Sequence, residues 1–319
     1  MIPPLDCLCA GIVVADTICQ PITQIPPEGG LAKTDRVEFS IGGCSANLAV
    51  DLARLGLRAG LSGRIGNDLF GRAVRDRLVA AEVDTENLET SDTAPTSSTF
   101  VLNVSGEDRR FIHCVGANAE YDGTRVTEAS IRSTKVFYVG GFCLLDSLTP
   151  DRVIRLFRAA RQHCVITMLN VVLSETTDTM AWLNPVLPWT DLFITNDDEA
   201  ERITQQTDPE QQAEGLRKLG ATTAIVTRGE QGAVLVGPND RLKSGIYPVT
   251  AIDSTGTGDA FAAGYLYGIL QGHEACQCLK FGSALGASCV RSMGATTGVF
   301  NAHELNDFVN NNTLSIESW

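Results

Sequence analysis

Basic residues, metal-binding cysteine spacings and long apolar runs are all scarce in this sequence. Its 319 residues include 25 Lys and Arg against 38 Asp and Glu, a formal net charge of −13. The chain therefore lacks the basic surface that nucleic acids and anionic membranes require. Its ten cysteines include no C-x-x-C pair, which argues against a structural zinc site.

The N-terminus and the apolar runs make a membrane location unexpected. No stretch approaches the roughly 18–20 apolar residues that span a bilayer, and the first residues lack the pattern of a signal peptide. We therefore expect no nucleic-acid partner and no membrane partner. We expect the scattered cysteines to be reduced and mostly buried, and the protein to be cytoplasmic.

Short apolar runs recur along the second half of the chain and alternate with helical patterns. The predicted strands are 136–139, 164–169, 192–195, 224–227 and 233–236, and the predicted helices include 151–162 and 208–219. This alternation predicts a mostly parallel sheet with helices on both faces. Without a repeat or a long linker, a single domain spanning 1–319 is expected.

Residues 5–15 form a further continuous apolar run, which predicts a buried central strand. Asp16 follows at the predicted end of that strand. Ligands of open α/β sheets bind at the carboxyl ends of strands, so this carboxylate is a candidate site residue. A simple turn residue would fit the same position.

The stretch 251–268, AIDSTGTGDAFAAGYLYG, joins a Gly-rich turn to a buried helix. Gly256 and Gly258 permit close approach to the backbone, and unpaired N–H groups at a helix start form an anion site. Asp259 beside it is placed to remove a proton from a substrate hydroxyl. Gly264 and Gly268 each cost about 1 kcal/mol of helix propensity, which predicts close packing. An ordinary turn and a dipole-stabilising Asp explain the pattern equally well.

A second Gly-rich helix start occurs at 41–56, IGGCSANLAVDLARLG. Ser45 is predicted to cap the helix, and Gly42 and Gly43 before it again permit close approach. Asn47 on the first turn carries an amide that can donate and accept hydrogen bonds at once. Here too a plain helix entry explains the residues equally well.

DSTGTGDAFAAG, at 253–264, resembles the D-T-x-G-A-G-D signature of the ribokinase-like (PfkB) family of carbohydrate and nucleoside kinases. Ser254 replaces Thr, and Thr257 replaces the usual small residue. Other segments resemble family motifs in the family's order, namely 42–47, 60–71, 196–199 and 226–235. The resemblance implies a ribokinase-like doubly wound α/β fold with a small β-sheet lid. That lid would be formed by about 17–40 and by a hairpin at 98–115.

The resemblance also implies an ATP-dependent kinase that phosphorylates a hydroxyl of a sugar with the help of Mg²⁺. Asp259 is then the general base, and the backbone N–H groups of Gly256, Thr257 and Gly258 form the anion hole. The residues assigned to the sugar are Asp16, Gly42, Gly43, Asn47, Arg110, Asn170 and Asp259. Those assigned to the nucleotide are Asn196, Thr227, Gly229, Gly232, Gly256 and Gly258. Glu199 would hold Mg²⁺ through water, and Asp253 and Thr255 a monovalent cation such as K⁺.

The acceptor sugar is left open by the sequence. Many sugar-acid and fructose kinases of this family carry D-x-N-x-R where this chain has MLNVV at 168–172. Asn170 is kept, but Met168 and Val172 replace the charged residues. This departure disfavours a substrate carboxylate or phosphate bound by that Arg, and leaves neutral sugars and nucleosides.

Two other functions remain open. A nucleoside kinase of the same fold would stack its base on lid aromatics such as Phe39, Phe100 and Phe111. A non-catalytic sugar- or nucleotide-binding sensor would have no need of the base Asp259. The exposed hairpin edges also predict a homodimer formed through the lid.

Overall fold

The structure is a computed structural model that describes residues 4–104, 110–174 and 177–319. Its strands are β1 (Leu5–Gly11), β2 (Val14–Ile22), β3 (Arg36–Gly42), β4 (Ala59–Gly66), β5 (Leu88–Ser91), β6 (Ser98–Val104), β7 (Arg110–Cys114), β8 (Thr134–Phe142), β9 (Ile166–Val171), β10 (Leu192–Asn196), β11 (Thr223–Thr227), β12 (Ala233–Val236), β13 (Arg241–Ser244) and β14 (Ile316–Ser318). Its helices are α1 (Cys44–Arg54), α2 (Leu69–Ala80), α3 (Glu128–Arg132), α4 (Pro150–Gln162), α5 (Thr179–Leu183), α6 (Asp197–Thr204), α7 (Pro209–Lys218), α8 (Thr257–Leu270), α9 (Ala275–Cys289) and α10 (Ala302–Asn311).

Ten strands form one large sheet in the order β14-β13-β12-β11-β10-β9-β8-β1-β4-β5. The strands from β11 to β5 pair in parallel, and β12, β13 and β14 pair antiparallel at one end. The five strands predicted in the second half are all present. The predicted mostly parallel sheet is therefore confirmed.

Alternating side chains of the central strands divide the interior into two hydrophobic cores. On β1, Cys7 and Cys9 belong to one core, whereas Leu8 and Ala10 belong to the other. Successive side chains of a strand point to opposite faces, so each core covers one face of the large sheet. The first core takes in α1, α8 and α9, and the second takes in α4 and α7. Helices therefore cover both faces, as predicted.

A second sheet has four strands in the order β3-β2-β6-β7. It contains the segments predicted as a lid, and β6 and β7 form the predicted antiparallel hairpin arms. The predicted turn of that hairpin, 105–108, lies outside the described residues. The strand predicted over 5–15 is wrong, because β1 ends at Gly11 and the chain enters the second sheet at Val14. Gly11 has a φ of 142°, and a Cβ there would lie 2.1 Å from the Gly140 carbonyl oxygen, so the chain leaves the large sheet where only glycine fits.

The glycines inside α8 allow it to pack closely against α9. A Cβ on Gly264 would lie 2.4 Å from the Phe281 carbonyl oxygen, and one on Gly268 would lie 2.8 Å from Cys278 Sγ. The close packing predicted from these two residues is confirmed. In the described ranges, no helix combines the length and the apolar character needed to cross a bilayer.

All ten cysteines are free. Five are buried, namely Cys7, Cys9, Cys143, Cys278 and Cys289. The remaining five are partly or fully exposed, so the expectation of mostly buried cysteines holds for only half of them.

Candidate active site

Polar side chains from both sheets and from two helix starts meet beside the carboxyl end of β1. The neighbours of β1 are β4 on one side and β8 on the other, so the strand order reverses here. In open α/β sheets, such a reversal is where ligands bind. The structure brings together Asp16 and Asn47, which are assigned to the sugar, and Asp259, which is assigned both to the sugar and as the general base.

Asp259 lies in the first turn of α8 and is held by two side chains of α1. Asn47 Nδ2 donates to Asp259 Oδ2 at 2.8 Å, and the Cys44 thiol is also hydrogen-bonded to this carboxylate. Burial raises the pKa of Asp259, and the bonds from Asn47 and Cys44 oppose that rise. A carboxylate with a raised pKa accepts a proton more readily, provided that it is still ionised at the working pH.

The Gly-rich turn before Asp259 positions the start of α8. Gly256 has a φ of 79°, and a Cβ there would lie 2.4 Å from Ala295 Cβ, so the turn packs tightly on one side. Apart from its chain neighbours and the backbone of its own helix, a Cβ on Gly258 would meet no heavy atom of the described residues within 4 Å. The Thr257 N–H points to the Ser254 carbonyl at a long 3.4 Å. The backbone at Gly258 therefore borders open space that an anion can enter.

Asp253 holds this turn in place. Asp253 Oδ1 accepts from the Thr255 N–H at 3.0 Å and from the Thr255 hydroxyl at 2.7 Å. Asp253 Oδ2 accepts from the Gly294 N–H at 2.9 Å. The Thr255 carbonyl accepts from Cys289 Sγ at 3.4 Å. The buried Asp253 carboxylate thus links the turn to the segment that follows α9.

Asp16 reaches the site from the second sheet. The prediction that it ends the first core strand is wrong, since Asp16 lies inside β2, opposite Ser40 of β3. Its pKa is raised to about 6 by burial and by the nearby Asp253 and Asp259 carboxylates, and a hydrogen bond from Thr99 opposes the rise. A Cβ on Gly42 would lie 2.1 Å from Asp16 Oδ2, so glycine at 42 leaves room for this carboxylate.

Asp16→Asn is expected to stabilise the protein at neutral pH. The folded pKa of about 6 exceeds the ordinary 3.8, so the folded state binds this proton more tightly than the unfolded state. Ionised Asp16 therefore costs stability above pH 6, and this cost disappears as the pH falls toward the unfolded pKa. We expect a gain of about 1–3 kcal/mol in the free energy of unfolding at pH 7.5, shrinking by pH 4, measured by urea unfolding. An Asn variant of the exposed Asp198 is the control, and equal values for both variants at pH 7.5 would contradict the prediction.

The first turn of α1 is not capped by a side chain, in contrast to the prediction. The helix begins at Cys44 after Gly43, whose φ is 91° and which provides no side-chain cap. The Ser45 hydroxyl instead donates to the Ala10 carbonyl at 2.9 Å, so the cap predicted at Ser45 is wrong. A Cβ on Gly43 would lie 2.6 Å from the Ile12 carbonyl oxygen. Close contact with the β1–β2 connection therefore fixes where α1 begins.

The residues assigned to the nucleotide follow neighbouring strands. Asn196 at the end of β10 is in register with Thr227 at the end of β11. Asn196 and Glu199 form a capping box at the start of α6, in which Asn196 Oδ1 accepts from the Glu199 N–H at 2.8 Å. Gly229 and Gly232 follow Thr227 with φ values of 51° and 82°, so a tight turn lies beside these strand ends.

Two residues assigned to the sugar are placed differently from the others. Asn170 bridges strands, since its Oδ1 accepts from the Gly141 N–H at 3.4 Å and its Nδ2 donates to the Ile194 carbonyl at 3.3 Å. Arg110 pairs with Leu102 in the second sheet. Directly paired residues share a face and neighbours in a strand alternate, so Arg110 lies on the face opposite Asp16. The structure does not bring Arg110 to the site.

Several residues of the site were missed from the sequence. Cys44 contacts Asp259 and directly follows Gly42 and Gly43, which was the available signal. Asp51 is fully buried on α1 four residues after Asn47, a spacing that places both on one face of the helix. The buried Tyr138 hydroxyl would lie 2.7 Å from a Cβ on Gly140. Nothing in the local sequence distinguishes Tyr138 from any other strand residue.

Comparison with known proteins connects this geometry to a family. Residues 5–302 match the pfkB family of carbohydrate kinases. A 5-dehydro-2-deoxygluconokinase of Clostridium botulinum (strain Eklund 17B / Type B) is 26% identical over 303 residues, which cover 88% of this chain and 86% of that protein.

Two solved structures share the fold at low sequence identity. Arabidopsis thaliana ribokinase complexed with ribose and ATP has a TM-score of 0.83 at 23% identity, covering 97% of this chain and 99% of that one. An Escherichia coli structure containing ATP and Mg²⁺ also has a TM-score of 0.83 at 23% identity, covering 97% of this chain and 100% of that one. Both likenesses confirm the predicted ribokinase-like fold.

Proposed function

The chain belongs to the pfkB family of carbohydrate kinases and is an ATP-dependent sugar kinase, and on that premise we propose that Asp259 is its catalytic base. The observation that carries the proposal is the bond from Asn47 Nδ2 to Asp259 Oδ2, 2.8 Å long, at the start of α8. It fixes a carboxylate of raised pKa beside the backbone of the Gly-rich turn. The alternative of a non-catalytic sensor is set aside by the family membership.

The site's own residues divide the proposed reaction between them. Asp259 takes the proton of the acceptor hydroxyl as its oxygen attacks the γ-phosphorus of ATP. The backbone N–H groups of Gly256, Thr257 and Gly258, at the positive end of α8, stabilise charge on the transferred phosphoryl group. Asp16, Gly42, Gly43, Asn47 and Asn170 bind and orient the sugar. The second sheet acts as the lid that excludes water, which would otherwise compete for the phosphoryl group.

Glu199 fits a role in holding Mg²⁺ through water. Its Oε2 accepts from the Thr195 hydroxyl at 2.8 Å and from the Asn196 N–H at 3.3 Å, so Oε1 remains to accept from a metal-bound water. Burial raises the pKa of Glu199, and the Asp259 carboxylate raises it further, a cost that a nearby cation would offset. Within the described ranges, no three His, Cys, Asp or Glu side chains cluster as a metal site, which fits a metal held mainly by phosphates and water. Bound Mg²⁺ would neutralise charge on the phosphates.

The nucleotide and the monovalent cation complete the proposal. Asn196, Thr227, Gly229 and Gly232 are proposed to bind the phosphates of ATP. Asp253 and Thr255 are proposed to favour K⁺ close to the turn, with the Thr255 carbonyl oxygen as a ligand. We also propose a cytoplasmic location, which suits ten free cysteines.

We propose a neutral sugar as the acceptor. The charged groups acting on Asp16 are the carboxylates Asp253 and Asp259, so a substrate carboxylate placed here would be repelled. Hydroxyl groups can instead donate to these acceptors. Met168, at one position that is charged in sugar-acid kinases, is fully buried in the core. The names of the curated relatives favour a second candidate, a keto sugar acid of the 5-dehydro-2-deoxygluconate type.

A nucleoside acceptor is supported less well by the lid aromatics. Phe39 stacks on Phe70 with ring centroids 6.1 Å apart, and the Arg77 guanidinium covers it at 4.8 Å. Phe100 lies on the lid face opposite Asp16, because it pairs with Thr17. Of the three predicted stacking residues, only Phe111 shares the face of Asp16.

A panel of acceptors tests these assignments. Neutral pentoses and hexoses, keto sugar acids and nucleosides are each incubated with Mg²⁺ and ATP, in KCl and in choline chloride, and ADP release is measured. We expect turnover with at least one neutral sugar, and faster turnover in KCl. Turnover confined to sugar acids would favour the second candidate, and no turnover with any acceptor would contradict the proposal.

The outer face of the lid supports a homodimer. Val37, Phe100 and Ile112 are 60%, 44% and 62% exposed, and register places all three on the face opposite Asp16. Exposed apolar faces of this kind commonly mark protein interfaces. Among the described strands, β3 and β7 are the edges of the lid sheet beside this face. We therefore propose that two lids pack together. Sedimentation velocity should show a dimer that Phe100→Glu converts to monomer, whereas a monomeric wild-type chain at micromolar concentration would exclude it.

A further inference from the structure

Asn47 and Asp51 lie one helical turn apart on α1, and both carry buried polar atoms without partners. Asn47 is 4% exposed and Asp51 is fully buried. Among the described residues, Asn47 Oδ1 and both carboxyl oxygens of Asp51 have no hydrogen-bond partner. Side chains four residues apart on a helix are neighbours. Two adjacent acceptors cannot bond to each other unless one of them carries a hydrogen.

The surroundings of Asp51 favour its neutral acid form. The titratable and charged groups acting on it are Asp259 on α8, Cys289 on α9 and the exposed Arg54 on α1. Burial raises the pKa of Asp51 well above its usual range, and the Asp259 carboxylate acts in the same direction. An ionised carboxylate buried without a partner would be costly, whereas a protonated one becomes a hydrogen-bond donor.

We propose that Asp51, as a neutral acid, donates to Asn47 Oδ1 and so orients the Asn47 amide with its Nδ2 toward Asp259. The resulting chain runs from the Asp51 O–H to Asn47 Oδ1, and from Asn47 Nδ2 to Asp259 Oδ2. It gives a partner to two buried groups at once, which is what buried polar groups require. Asp51 is fully buried and is proposed to act through Asn47, so it is a positioning residue. The inference rests on the proposed role of Asp259.

The direction of the Asn47 amide matters because its two ends have opposite effects on Asp259. The Nδ2 end stabilises the carboxylate and opposes the rise in its pKa. The Oδ1 end would face the same carboxylate with a second acceptor and destabilise it. An ionised Asp51 would favour that reversed amide, since it would repel Oδ1. The proton on Asp51 therefore selects the orientation that keeps the base ionised.

Two substitutions separate donation from mere packing. Asp51→Asn keeps an N–H donor toward Asn47 Oδ1, whereas Asp51→Leu keeps the same branching without a donor. We expect Asp51→Leu to lower kcat about tenfold, the effect of losing one buried hydrogen bond, with KM for ATP unchanged. The acid limb of its kcat profile should move to higher pH, because Asp259 loses the bond that lowers its pKa. Asp51→Asn should stay within about threefold of wild type and keep the wild-type acid limb.

A measurement independent of turnover keeps this inference separate from the proposed function. The infrared spectrum of the wild-type protein at pH 8, well above the pKa of about 6 of Asp16, should contain the carbonyl band of a protonated carboxylic acid, and the band should be weaker in the Asp51→Asn spectrum. Absence of that band in the wild type would overturn the inference, even if Asp51→Leu fails to fold. Equal kcat profiles for Asp51→Leu and wild type would also overturn it. A wild-type chain that shows the band but phosphorylates no acceptor would contradict the proposed function alone.

Discussion

Asp259→Asn is expected to lower kcat by about 10²- to 10⁴-fold, the usual contribution of a positioned general base. The substitution keeps the shape of the side chain and an oxygen that can accept a hydrogen bond from Asn47 Nδ2. In the wild-type protein this bond, to Asp259 Oδ2, is 2.8 Å long. It removes the group that receives the hydroxyl proton. KM for sugar and for ATP should change little, because the lost interaction belongs to the transition state. Steady-state kinetics with the best acceptor of the panel measures both constants.

Asp198→Asn provides the matched control for Asp259→Asn. Asp198 lies in the first turn of α6 as Asp259 lies in that of α8, but it is exposed and faces solvent. The same loss of charge there should leave kcat unchanged and cost less than about 1 kcal/mol of stability through the helix dipole. If Asp259→Asn kept more than about a tenth of wild-type kcat, the proton would have another acceptor and the base assignment would fail.

Gly264→Ala is expected to lower the free energy of unfolding by about 2 kcal/mol through overpacking. Its Cβ would lie 2.4 Å from the Phe281 carbonyl oxygen and 2.9 Å from Leu285 Cβ, so α8 and α9 would have to separate. The usual gain of about 1 kcal/mol from replacing Gly by Ala in a helix is too small to offset this. Urea unfolding monitored by circular dichroism measures the change.

Gly258→Ala is the counterpart in the same helix. Beyond its chain neighbours and its own helix backbone, its Cβ would meet no described heavy atom within 4 Å, so the free energy of unfolding should stay unchanged or rise slightly. Its kcat should nevertheless fall, because the new methyl group enters the space proposed for the transferred phosphoryl group. A loss of stability as large as that of Gly264→Ala would contradict the helix-packing explanation. Full activity of Gly258→Ala would contradict the placement of the phosphoryl group.

Local patterns in the sequence predicted five of the ten strands of the large sheet and the close packing of α8. The strands from β8 to β12 and the helices between them follow from apolar runs, because burial on both faces of a parallel sheet imposes such runs. Gly264 and Gly268 predicted a close helix contact, because only close packing compensates for the helix propensity that each glycine loses relative to alanine. The Gly-rich turn at 253–259 carried the family resemblance together with the motifs at 42–47, 60–71, 196–199 and 226–235.

The contacts that assemble the candidate site were decided by the tertiary structure. Asp16 lies against Gly42, which is 26 residues away in the chain. Asn47 contacts Asp259, which is 212 residues away. Apolar runs also concealed the break after Gly11, since β1 and the start of β2 are both buried and read as one strand. An acidic residue such as Asp51 on a helix is ordinarily exposed, and only the packing of α1 against α8 shows that it is buried. Sequence periodicity reports which face of an element is apolar, whereas the partner of each polar group depends on the path of the whole chain.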